Sequence, residues 1–213
     1  MSGLEEARPS RRESLTRAEA RGADEPASEI EIPRAADTLR IQTQAMACHF
    51  AVFLDAQRRE QLDSVSEVLE SVHGLEALMS VYRSESPMSR ANATAAKQDA
   101  VLEETLFEVV ALAYRIAEET DGAFDPTTGP LVELWQKARE SGQVPDEGEV
   151  RRVRELGGLD DVAVDVPSRS IRYGRGGVEL NLGGIGKGFA LDRIGGDLAR
   201  QHVASRRPQL DRA

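Results

Sequence analysis

Cysteine is nearly absent. Cys48 stands alone in 213 residues, which excludes an intramolecular disulfide framework and a thiolate metal cluster. Histidine is scarce too: His49, His73 and His202 show no paired spacing, so a zinc site is not expected. No apolar run approaches the roughly 18 residues of a membrane span. The opening MSGLEEARPSRRESL carries charges but no apolar h-region, so it does not read as a secretory signal, and the expected location is cytoplasmic. Basic residues are in the minority, 27 against 37 acidic ones, for a formal charge of −10. That balance argues against a general nucleic-acid binder, because a phosphate backbone attracts a basic face.

Aromatic rings are few and confined to the stretch from Phe50 to Phe189. Residues 1–36 mix Arg, Glu, Ala, Ser and Pro with almost no large apolar side chains. Such a segment cannot bury enough surface to offset its ordering entropy, and 1–37 is expected to be a disordered charged tail. From Thr38 the texture changes. Leu39, Ile41, Phe50, Val52 and Leu54 alternate, which predicts strands at about 38–44 and 48–55. Val65, Val68, Leu69, Val72, Leu75 and Met79 repeat at helical spacing. The polar, serine-containing stretch 83–99 reads as a loop. Further helices are expected from Leu102 to a stop at Asp121-Gly122, around Leu131–Ala138 to Ser141-Gly142, and over 147–156 to Gly157-Gly158. A hairpin at 162–164 and 171–173, a strand at 178–182 and a helix from about Lys187 complete the pattern. The fold class is α+β, a mixed sheet with packed helices, and not a βαβ array.

Three stretches could carry chemistry. Leu182-Gly183-Gly184-Ile185-Gly186-Lys187-Gly188 runs from a strand through a glycine turn into a helix. Free N–H groups and the helix dipole there suit a phosphate. It is not a Walker A loop, which needs Gly in place of Asn181 and Ser or Thr in place of Gly188. A tight turn that packs a helix on a sheet explains the glycines equally well. Asp121-Gly122-Ala123-Phe124-Asp125-Pro126-Thr127-Thr128-Gly129-Pro130 is either a helix cap with a turn or the rim of a polar ligand site. Met79 to Asn92 ends one helix and enters a serine-rich loop, in which Tyr82 could offer a flat face and Asn92 hydrogen bonds.

Together with the entry Met46-Ala47-Cys48-His49-Phe50, these segments in this order resemble the ApbE-like family, the FAD:protein FMN transferases. Its motifs MGTxF, MSxYxxxSxxSxxN, DGAFDPTxGPLxxLW and LGGIAKGxAxD meet their counterparts across residues 38–205. The resemblance implies a domain that binds FAD in a cleft between sheet and helices. With Mg²⁺ it transfers FMN from FAD to a Thr or Ser of an acceptor protein and releases AMP. It further implies that Met46 lines the flavin site, that Tyr82 lies by an aromatic ring of FAD, and that Asn92 contacts the diphosphate and metal region. Asp125, Pro126 and Thr127 would hold the ligand, Gly186 would lend its carbonyl to Mg²⁺, and Lys187 and Asp192 would bind the nucleotide part. Lys187 is one of only three lysines among the 27 basic residues. No catalytic side chain is assigned.

The chain departs from the family pattern at Cys48 for Thr, Asn181 for Asp and Gly186 for Ala. The larger departure is at the end, where 206–213 matches nothing in the family and the acidic metal-binding segment is missing. The expectation is a C-terminally incomplete domain that does not transfer FMN by itself. The alternatives are a non-catalytic FAD-binding or flavin-trafficking module and an inactive fragment.

Overall fold

The structure is a computed structural model that describes residues 38–203 and the backbone of 209–212. The chain divides between Asp37 and Thr38 into two units. The charged segment 1–37 lies outside the described residues, and so does the 206–213 tail apart from 209–212.

Strands β1 (Thr38–Ala45) and β2 (Cys48–Asp55) form an antiparallel hairpin, with Ala45 facing Cys48 across a two-residue turn. The turn residues Met46 and Ala47 have φ of 51° and 56°, the doubly left-handed geometry that matches strand twist in tight hairpins. Alternation along β2 sends Phe50, Val52 and Leu54 inward, all fully buried. Asp55 Oδ1 accepts from the Gln57 N–H at 2.9 Å and starts a 3₁₀ stretch, Ala56–Gln61. This leads into α1 (Leu62–Met79), whose apolar stripe of Val65, Val68, Leu69, Val72, Leu75 and Met79 is buried. Each fully buried aliphatic side chain of this kind contributes about 1.5–3 kcal/mol.

The next element corrects the loop expected at 83–99. Helix α2 spans Pro87–Ala95. Ser86 Oγ accepts from the Ser89 N–H at 3.0 Å, and Pro87 stands in the first turn, where a missing N–H costs nothing. Met88, Ala91 and Ala95 give the helix a small buried face.

A two-residue strand β3 (Ala100–Val101) precedes α3 (Glu104–Glu119), which Glu103 caps through its side chain. Helix α3 stops at Asp121 and Gly122, with φ of 52° and 73°. Helix α4 (Gly129–Ser141) ends on the left-handed Gly142, and α5 (Glu147–Arg154) begins at an Asp146 cap. Strands β4 (Val162–Asp165) and β5 (Ser170–Tyr173) form the expected hairpin. Helix α6 (Gly186–Arg200) packs against α1.

Segment 178–182 differs from its sequence reading. Val178, Leu180 and Leu182 are buried and alternate as a strand would, yet the segment joins no ladder. The Leu180 backbone pairs with the Asn92 side chain, and the Asn181 N–H donates to the Pro126 carbonyl at 2.8 Å. A side chain and a loop take the place of a neighbouring strand, which is why the alternation alone misleads.

The strands gather into two antiparallel sheets of three, β1-β2-β6 and β3-β5-β4. Strand β6 (Gln209–Arg212), which no sequence pattern announces, pairs with β2 in the register Cys48↔Arg212 to Ala51↔Gln209. Small antiparallel sheets with helices packed on them give the α+β class. No helix among the described residues is long and apolar enough to cross a membrane.

Candidate functional site

The turn between α3 and α4 is tied together by its own polar groups. Asp125 Oδ1 accepts from the Thr127 N–H at 2.7 Å and from the Thr127 hydroxyl at 2.6 Å. The Thr127 hydroxyl in turn accepts from the Gly158 N–H at 2.8 Å, and Thr127 is wholly buried. The turn then presents α4 against the extended segment 178–182. A β-carbon on Gly129 would lie 2.7 Å from the Glu179 carbonyl oxygen, so only glycine allows this approach. Phe124 is packed just as closely: a β-carbon on Gly184 would come within 2.9 Å of its ring. The glycines at 129 and 184 thus close the packing of two loops that are far apart in sequence.

Between α2, α4 and segment 178–182 lies a cleft of ≈ 510 Å³. Tyr82, Asn92 and Gly129 border it, so two of the stretches singled out in the sequence reach one cavity; Asn181, just before the glycine turn, lines it too, while residues 182–188 are not among its lining. Tyr82 is 70% exposed, and its ring can receive a flat partner. Asn92 is held on the cleft wall by hydrogen bonds to both backbone groups of Leu180 and to Tyr173. Asp125, Pro126 and Thr127 support the cleft through the Pro126–Asn181 bond and the turn network, and their side chains are not among those lining it.

The remaining expected residues form a second neighbourhood. The Met46 N–H donates to Glu76 Oε1 at 2.7 Å, and Met46 packs partly buried against the core. Burial raises the Cys48 thiol pKa, with Lys187 pulling it down and Glu76 pushing it up, so both charges bear on Cys48. Gly186 is buried as the first residue of α6, and its N–H donates to the Leu182 carbonyl at 2.8 Å. A carbonyl at that helix position enters the helix's own ladder, which leaves only a second lone pair for an ion. Asp192 is exposed farther along α6. The start of α6 has no side-chain cap and no acidic residue in its first turn, so its dipole is uncompensated beside Lys187.

Sequence reasoning missed the charges of the cleft. Glu133, Lys137, Glu140 and Glu179 line it, and Lys137 Nζ pairs with Glu133 Oε1 at 2.6 Å. Burial, then the Glu133 charge, raises the Glu179 pKa, and Lys137 opposes the shift. Tyr173 and Glu76 were missed as well. Glu133 falls on an unspecified position of the DGAFDPTxGPLxxLW motif, the rest of α4 reads as an ordinary amphipathic helix, and Glu179 reads as one polar residue of a presumed strand.

Fold and site together define an α+β domain with an aromatic-edged cleft and a glycine turn at an uncapped helix start. The chain belongs to the ApbE family, whose family model matches residues 40–206. The FAD:protein FMN transferase of Klebsiella pneumoniae is 30% identical over 138 residues, 65% of this chain and 44% of that protein. That of Treponema pallidum is 28% identical over 153 residues, 69% of this chain and 42% of its own length. The crystal structure of the ApbE protein from Thermotoga maritima matches at a TM-score of 0.66 and 26% identity, over 78% of this chain and 54% of that one. The chain therefore spans about half the length of the relatives it matches.

Proposed function

We propose that this chain is the flavin-nucleotide-binding part of an FAD:protein FMN transferase. The observation that carries the reading is the meeting of three sequence-distant segments at one cleft, secured by the Pro126–Asn181 hydrogen bond and the Gly129–Glu179 contact. The names of the relatives supply the ligand, and the geometry supports an orientation for it. Three carboxylates against one ammonium in the cleft repel a diphosphate, so a neutral ring of FAD lies there beside Tyr82. The diphosphate belongs at the glycine turn, where the Lys187 charge and the positive end of the α6 dipole favour an anion, although the Gly186 N–H is already given to the Leu182 carbonyl. Met46, expected from the family at the flavin, and Asp192, expected at the nucleotide part, complete the site in this reading.

In the reaction an acceptor Thr or Ser hydroxyl oxygen bonds to the FMN phosphorus of FAD. The anhydride P–O bond breaks, AMP leaves with the bridging oxygen, and the hydroxyl proton passes to a base. The chain's residues contribute by positioning the two halves of FAD and by offering dipoles to the diphosphate. Mg²⁺ belongs to the same family reading. Among the described residues no three or more His, Cys, Asp or Glu side chains are grouped to hold an ion, and no step is routed through a metal.

The test is a titration of the purified chain with FAD, followed by flavin fluorescence, with ATP and NAD as competitors. Saturable quenching that ATP and NAD fail to displace is the expected result. Binding of ATP or NAD in preference to FAD would overturn the reading.

A further inference from the structure

The amide of Asn92 is engaged on three sides. The Leu180 N–H donates to Oδ1 at 3.1 Å, and Nδ2 donates to the Leu180 carbonyl at 3.0 Å. A peptide N–H can only donate and a carbonyl can only accept, so these two bonds decide which end of the amide is oxygen. The Tyr173 hydroxyl then donates to the same Oδ1 at 2.5 Å. Both lone pairs of Oδ1 are thereby filled, and one hydrogen on Nδ2 has no partner among these contacts. Asn92 lines the cleft, so that hydrogen is the polar group it can offer to a ligand. Tyr173 sits at the end of β5 and is 2% exposed. Burial pushes its phenol pKa well above the usual range, so the hydroxyl keeps its proton at physiological pH.

We propose that Tyr173 is a positioning residue for the cleft: by occupying the second lone pair of Asn92 Oδ1, it makes Asn92 a donor-only group that takes an acceptor atom of bound FAD. The inference rests on the flavin reading above and adds a residue and a polarity to it. Without the Tyr173 hydroxyl, one lone pair of Oδ1 is left unpaired toward a buried ring. The amide loses one of three anchors and turns more freely on the cleft wall. A neutral hydrogen bond that orients a ligand-binding group is worth roughly 1 kcal/mol, or about fivefold in affinity.

The experiment uses the full chain, labelled with ¹⁵N, and follows the side-chain amide of Asn92 by NMR during an FAD titration. One Nδ2 hydrogen is expected to shift with saturation while the other, bonded to Leu180, stays in place. Parallel titrations with riboflavin and with ADP distinguish the source of the acceptor, a flavin carbonyl in the first and the adenosine diphosphate part in the second. Tyr173→Phe is then compared with the unaltered chain for melting temperature and for FAD affinity. The expected result is a folded protein that binds FAD about fivefold more weakly.

A purely structural hydroxyl would lower the melting temperature and leave the dissociation constant unchanged, and that outcome overturns the proposal. So does saturation of the unaltered chain with FAD while neither Nδ2 hydrogen moves, a result that needs no variant. Failure of the unaltered chain to bind FAD at all is a different result, which overturns the flavin reading and this inference with it.

Discussion

At the scale of single residues, two backbone positions carry the wrong side chain for their conformation, in opposite senses. Ala47 sits at φ 56° in the β1–β2 turn, where a β-carbon crowds the following carbonyl at a cost of roughly 1–2 kcal/mol. Gly74 lies inside α1 with nothing within 4 Å of where a β-carbon would stand. A helical glycine in open space destabilises by roughly 0.5–1 kcal/mol relative to alanine. Ala47→Gly gains the relief of strain and loses part of it to the greater freedom of glycine in the unfolded chain. Both Ala47→Gly and Gly74→Ala are therefore expected to stabilise the protein, each by about 0.5–1 kcal/mol. Urea unfolding with an unchanged slope and a raised midpoint is the measurement. A lowered midpoint for Ala47→Gly would mean that the methyl group makes a compensating contact in the turn.

Between elements, the connections are made by polar side chains acting as backbone substitutes. Thr127 joins the turn before α4 to the Gly157-Gly158 corner through a hydroxyl that donates to Asp125 and accepts from Gly158. Thr127→Val keeps the shape, leaves the half-buried Gly158 N–H without its partner and removes one donor from Asp125. The expected loss is about 2 kcal/mol, with Thr127→Ser recovering most of it, as read from the midpoint of chemical unfolding. Asn92→Ala is more severe, because the Tyr173 hydroxyl and both Leu180 backbone groups lose partners while Tyr173 and Leu180 stay buried. A loss of about 3 kcal/mol or more is expected there. These links also explain what the sequence disclosed at this scale. Periodicity located β1, β2, β4, β5 and helices α1, α3 and α6, whose apolar faces are buried, whereas α4 buries only Gly129 and α5 nothing, and these two were legible from the glycine stops at Gly142 and Gly157-Gly158. It missed α2, whose buried face is only Met88, Ala91 and Ala95, although Ser86 followed by Pro87 is a helix-start signal that could have revealed it. It overread 178–182, because alternation reports burial on one side and cannot say whether a strand or an asparagine meets the backbone.

Over the whole molecule, the candidate site is half motif and half surface charge, and only the motif half was visible beforehand. Asp125, Pro126, Thr127 and the glycine turn stand on loops whose composition is unusual in itself. Glu133, Lys137 and Glu140 recur at helical spacing on α4, and only folding brings them beside Glu179. Their effect on an anionic ligand sets the pH dependence of binding. The chain carries a formal charge of −10, and within it the cleft adds three carboxylates to one ammonium. Burial and Glu133 raise the Glu179 pKa in the folded protein. The folded state thus holds this proton more tightly than the unfolded chain, and the associated stability is present in acid and lost as pH rises through the raised pKa. Bound FAD adds negative charge and raises that pKa further, so binding takes up a proton. Affinity for FAD is accordingly highest at the acid end and falls as pH rises between the free and bound values. Glu179→Gln removes the titrating charge, and the variant should bind FAD more tightly than the unaltered chain at about pH 8, with a flatter profile down to about pH 5. Added salt should narrow the difference at the alkaline end, because exposed charges are screened over roughly 10 Å at 0.1 M. Dissociation constants from flavin fluorescence across that pH range decide the matter: parallel profiles for the two proteins would show that Glu179 does not face the ligand, and would move FAD away from this wall of the cleft.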